Sequence, residues 1–146
     1  MNRPLGSLLV ALQFALLAAL LAVAARGGHW SPTAIALALA GIALGLSAVW
    51  SNRPGNFNIH PEPKAGGTLV RTGPYRWIRH PMYSALLLFG AGCALAAGGA
   101  VGWALWISLA ATLNAKAALE ERWMATAHVG YADYRAATRR FVPFLF

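Results

Sequence analysis

The chain is poor in charge and poorer still in acid. Only 11 % of its 146 residues are charged, and Asp and Glu together number 4, whereas an ordinary soluble domain is about a quarter charged. So few charges cannot cover a water-facing surface, which excludes a conventional soluble fold. There is one cysteine, Cys93, inside an apolar run. This excludes an intrachain disulfide or a multi-cysteine metal centre and leaves a small buried thiol. The glycine pairs at 66–67 and 98–99 lack a strand–turn–helix context, so no dinucleotide-binding fingerprint is present. The histidines offer no zinc spacing, and no metal is expected.

What the chain has is apolar length. It is 58 % hydrophobic with a mean hydropathy of +0.53, and its length fits one domain, 1–146. Four runs stand out: Leu5–Ala25, Trp30–Ser51, Met82–Ala97 and Val101–Leu119. The first holds 21 uncharged residues, near the roughly 20 needed to cross about 30 Å of hydrocarbon, and reads as a retained helix rather than a signal peptide. Ser31-Pro32 suits the start of the second. Only Gly98-Gly99-Ala100 separates the last two, which predicts a tight antiparallel hairpin. The expected fold is all-α: a polytopic membrane protein of about four transmembrane helices with a C-terminal helix or tail.

Basic residues number 12, for a formal net charge of +8, and they lie between the apolar runs rather than on a nucleic-acid-binding stripe. Arg53, Lys64, Arg71, Arg76 and Arg79 fall in the long connection, and Arg122, Arg135, Arg139 and Arg140 in the tail. The opposite side has Arg26 alone. The positive-inside rule then puts both termini and both polar segments in the cytoplasm.

Chemistry is expected where those segments meet. In the first, Pro81 occupies the opening position of the third span, so Arg79 and His80 stand before a helix N-terminus suited to an anion. Trp77, Arg76 and Arg71 also fit an interfacial belt. In the second, Lys116 and Glu120 share a helical face. Adjacent Glu120 and Glu121 cannot both face one partner, so one would bind ligand while the other meets a base. Ionisable groups at this depth usually have a task. Tyr131 and Tyr134 lie on one face of the tail, ahead of Arg139-Arg140 and Val142-Pro143.

Gly73-Pro74-Tyr75, Arg79-His80-Pro81-x-Tyr83, Glu120-Glu121 and the tail with Tyr131, Tyr134 and Val142-Pro143 resemble the isoprenylcysteine carboxyl methyltransferase and phospholipid methyltransferase superfamily, over roughly residues 56–146. Ala85 stands where the family often has Gly, and Gly130 directly precedes Tyr131. The resemblance implies a membrane-embedded methyltransferase using S-adenosyl-L-methionine. Its cofactor site would comprise Tyr75, Arg79, His80, Tyr83, Glu120 and Glu121, with Arg79, Lys116 and Glu121 catalytic. Trp77, Tyr134 and Arg139 are candidates for the acceptor side. The acceptor would be small or lipid-like: a prenylcysteine-type carboxylate, a phospholipid amine or a thiol. A non-catalytic membrane subunit would leave the polar motifs unexplained, and a transporter would need ionisable groups at mid-membrane.

Overall fold

The computed structural model describes residues 3–52 and 68–145; Arg53, Lys64, Gly66-Gly67 and the beginning of the expected catalytic part lie outside them. These residues form helices α1 (Arg3–Gly27), α2 (Pro32–Asn52), α3 (Pro81–Ala97), α4 (Ala100–Ala127) and α5 (Tyr131–Ala137), with a 3-10 turn at Gly73–Arg76 before α3. The architecture is all-helical, and among the described residues the extended chain is limited to an isolated bridge between Ile78 and Arg139.

The turns form where local chemistry demands them. Ser31 caps α2, its hydroxyl accepting from Ala34 N–H at 3.2 Å, and Pro32 opens the helix without needing a donor. Gly98 ends α3 in the left-handed conformation, φ 69°, which glycine adopts without steric cost. His29 N–H donates to Ala96 O at 3.1 Å, so the α1–α2 and α3–α4 turns share one end of the bundle. The polar segments therefore meet at the other end, as expected.

Helix α3 is central: α2 packs along one side of it, and α1 and α4 along the others. Small residues allow the backbones to approach. A Cβ on Gly41 would lie 2.6 Å from Phe89 N, and one on Gly92 2.6 Å from Ala34 O. Such close seams suit helices that associate through packing rather than through exclusion of water.

Two helices, Pro4–Gly27 and Pro32–Asn52, are long and apolar enough to cross a membrane. Their outward faces expose Leu8, Leu12, Leu39 and Leu46, an apolar surface that water would not tolerate but lipid would. The third run is a shorter apolar helix, Pro81–Ala97. The fourth runs past the expected end at Leu119 to Ala127. Leu119 marks where polarity changes, not where helix propensity stops: Glu120-Glu121-Arg122 and the residues beyond are good helix formers.

Gly41→Val should separate α2 from α3 and cost about 1–3 kcal/mol by overpacking. Gly45→Ala, whose Cβ would meet Ala85 Cβ at 3.5 Å, should be tolerated. Thermal unfolding in detergent followed by circular dichroism distinguishes them.

Candidate functional site: a carboxylate pair at the polar end of the bundle

Glu121 is the hub. Its side chain is 4 % exposed. Its Oε1 accepts from Arg79 Nε at 2.9 Å and Arg140 Nε at 3.1 Å, and its Oε2 accepts from Arg140 Nη2 at 2.9 Å. Arg135 Nε stands 3.8 Å from Oε2. Arg79 also donates to the Arg135 and Thr138 carbonyls, and Arg140 to Asn114 Oδ1 at 2.8 Å. These bonds fasten the tail to α4 and to the segment before α3. Backbone pairing reinforces them, with Arg79 N–H donating to Arg139 O and His80 N–H to Arg140 O.

Glu120, the next residue, faces a different set. The Tyr83 hydroxyl donates to its Oε1, and His80 Nδ1 lies 3.2 Å from its Oε2. At 19 % exposure its side chain is more open than that of Glu121. His80 Nε2 meets Glu121 Oε1 at 3.3 Å. One imidazole thus bridges both carboxylates, which corrects the expectation that they share no partner: a histidine has two nitrogens, and each meets one acid. The His80 and Tyr83 rings are parallel, with centroids 5.3 Å apart, and Phe141 meets both edge-on.

The electrostatics follow. Burial would lower the His80 pKa, but hydrogen bonds and charge from Glu120 and Glu121 outweigh it and raise the value above the ordinary histidine range. Burial would raise the Glu121 pKa, but hydrogen bonds from His80, Arg140 and Arg79 hold it well below the usual carboxylate range. Both His80 nitrogens face carboxylate oxygens, an arrangement that favours the doubly donating ring, and Glu121 is favoured as the anion. Burial pushes the Tyr134 phenol up to about 12, so it stays a donor, bonded to Tyr75 O at 2.8 Å.

The structure thus gathers Arg79, His80, Tyr83, Glu120 and Glu121. Lys116 lies one helical turn from Glu120, its Nζ 5.1 Å from the Tyr83 ring centroid, and Tyr75 and Tyr134 flank the group from the 3-10 turn and α5. It does not gather Trp77 and Arg139. Trp77 is 47 % exposed and stacks under the Arg76 guanidinium at 4.3 Å, while the Arg139 side chain is exposed and only its backbone joins the assembly. The anion-receptor reading of Arg79 also changes, since its guanidinium faces Glu121 and backbone carbonyls.

Of the two adjacent tail arginines it is Arg140 that reaches Glu121, whereas the sequence names Arg139 as the candidate; only the Ile78–Arg139 pairing decides between them. Gln13 on α1, bonded to Lys116, carries no local signal beyond being polar in an apolar helix. Among the described residues, no group of three His, Cys, Asp or Glu is placed to hold a metal.

Glu121→Gln leaves Arg79 and Arg140 short of their buried counter-charge and should cost about 3–5 kcal/mol, read as a lowered unfolding midpoint in detergent. The pH response of His80 has a definite sign. Because its folded pKa lies above the unfolded value of 6.5, its contribution is complete below that value and fades as pH climbs through the raised one. The contribution of Glu121 runs the other way, holding above the ordinary carboxylate range and fading only in acid. The stability gap between wild type and His80→Gln should therefore narrow as pH rises from below 6.5 through the raised value.

Residues 30–129 match the phospholipid methyltransferase family, a span that takes in His80, Tyr83 and both carboxylates. The cobalt-zinc-cadmium resistance protein CzcN of Cupriavidus metallidurans is 31 % identical over 120 residues, covering 80 % of this chain and 52 % of that protein; the chain spans about half the length of this curated relative. No solved structure matches. With apolar helices long enough to cross a membrane and the family's match running through the carboxylate cluster, the chain belongs to the phospholipid methyltransferase family.

Proposed function

We propose that this chain is an integral membrane methyltransferase that transfers a methyl group from S-adenosyl-L-methionine to a small or lipid-like acceptor. The observation that carries this reading is the unequal state of the two carboxylates. Glu121 is enclosed by arginines, while Glu120 is partly open beside the parallel rings of His80 and Tyr83. A partly accessible carboxylate suits a cationic ligand group, because ammonium pairs with carboxylate. S-adenosylmethionine carries an ammonium beside its sulfonium, and Glu120 fits that ammonium. In this reading α1 to α4 all span the bilayer, and the cluster and both termini lie on the cytoplasmic face, where the basic surplus belongs.

When bound, S-adenosylmethionine would supply a methyl group to an acceptor lone pair in line, the S–CH3 bond breaking as the acceptor–CH3 bond forms and the neutral thioether leaving with the electron pair. The work left to the protein is alignment and exclusion of water. Glu120 and Tyr83 hold the cationic ligand, and Glu121 holds the tail that closes over it. A carboxylate acceptor is nucleophilic as it stands. An amine or thiol acceptor must lose a proton, and the base for it is Glu120, since both His80 nitrogens face carboxylates and Glu121 is engaged by guanidinium groups. An apolar acceptor tail would lie among the lipid-facing helices, which is the physical reason to house this reaction in a membrane.

Calorimetric titration of S-adenosylmethionine into the detergent-solubilised protein tests the site. Glu120→Gln should weaken binding about tenfold or more, the scale of one lost charge-assisted bond, with helical content unchanged. Equal affinity in wild type, Glu120→Gln and His80→Ala would overturn the assignment. Transfer of radiolabelled methyl to total lipid extract, then to thiols and prenylcysteine analogues, identifies the acceptor.

A further inference from the structure

Helix α1 contributes no residue to the carboxylate cluster and lies outside the matched family region, residues 30–129. It nevertheless carries one side chain that nothing in the membrane-protein reading requires. Gln13 sits in an otherwise apolar stretch, 6 % exposed, and faces inward. Its Oε1 accepts from Lys116 Nζ at 3.0 Å. Lys116 is itself 2 % exposed, and its ammonium rests against the Tyr83 ring, whose hydroxyl is bonded to Glu120. A chain of contacts therefore runs from α1 through Lys116 and Tyr83 to the open carboxylate.

The charge of Lys116 is the unusual element. Among the described residues no carboxylate lies within 4.0 Å of it; it is met by a neutral amide oxygen and an aromatic face. A buried ammonium so arranged is solvated but not neutralised, and it retains donors beyond the one that Gln13 takes. If stability alone were at issue, an apolar residue at both positions would serve the packing as well. The pair lies one helical turn from Glu120 toward the apolar part of the bundle, where the head of an acceptor must sit if its tail lies among the helices.

We propose that Gln13 is a positioning residue: it orients the Lys116 ammonium as a subsite for the anionic oxygen, carboxylate or phosphate, of an amphipathic acceptor, making α1 part of the functional unit. The proposal rests on the methyltransferase reading and deepens it. Gln13 holds the ammonium in place without cancelling its charge, whereas a carboxylate there would cancel it.

The chain contains two lysines, Lys64 and Lys116, so protein labelled with 15N,13C-lysine in a non-ionic detergent gives two side-chain signals, assigned with Lys64→Arg. Dodecyl phosphate and dodecanoate are titrated in, with dodecanol as the uncharged control and inorganic phosphate as the headgroup alone. In wild type the Lys116 signal should move with the two amphipathic anions and stay fixed with dodecanol; a response to inorganic phosphate as well would mean that the headgroup suffices. Gln13→Glu keeps an oxygen on the ammonium and should preserve the fold, yet weaken anion binding about tenfold while S-adenosylmethionine affinity measured by calorimetry stays within about twofold. Gln13→Leu should broaden or displace the Lys116 signal before any ligand is added. A Lys116 signal indifferent to both anions, or anion affinity equal in wild type and Gln13→Glu, overturns the proposal. Loss of S-adenosylmethionine binding in wild type itself overturns the methyltransferase reading instead.

Discussion

A carboxylate near the end of an apolar helix persists only if its charge is met, and the polar end of this molecule is arranged around meeting the charge of Glu121. Burying an isolated carboxylate costs several kcal/mol even after relaxation. Here Arg79, Arg140 and His80 each donate to it, which joins the segment before α3 and the tail to α4 at one carboxylate. Arg79 and His80 precede α3, while Arg140 closes the tail after α5. Removing that one anion would leave two guanidinium groups and an imidazolium facing one another, so the tail's position and the start of α3 both depend on it.

The clamp also explains why adjacent glutamates do different work. Successive helical positions point in different directions, so Glu121 turns toward the arginines and Glu120 toward Tyr83. His80 ties the two together, and this link favours the protonated imidazole. With Glu121 committed to structure and His80 to both acids, the proposed function assigns the chemistry to Glu120, the carboxylate with more open surface.

Much of the fold was legible because it is local. The apolar runs marked the helices, Ser31-Pro32 and Gly98-Gly99 marked their turns, and the short hairpin fixed the direction of α4 against α3. The proximity of Arg79-His80-Pro81 to Glu120-Glu121 followed from helix counting, since both polar segments had to share one end. What escaped depended on partners far away in the chain. Arg139 and Arg140 are equivalent by composition, and only pairing with Ile78 determines which reaches Glu121. Gln13 meets a lysine 103 positions away, and no pattern in α1 announces it. The overrun of α4 was hidden for another reason: hydropathy reports where apolar surface ends, and the helix continues beyond it.

Helix α3 joins these themes. It has small residues where α2 crosses it, at Gly92 and Ala85, and polar ones at its start, where Ser84 donates to Phe141 O at 2.6 Å. Close backbone packing along its length leaves little freedom to tilt, so the ring of Tyr83, one turn in, is held on a rigid support. Tyr83 then has the open carboxylate at its hydroxyl and the Lys116 ammonium at its face. A cation-binding group and a cation are thereby kept at the hydroxyl and at the face of one aromatic ring. A site that must bring a positively charged methyl donor to an electron-rich acceptor needs such a separation, because the acid that attracts the donor would repel an anionic acceptor, and the lysine that attracts such an acceptor would repel the donor.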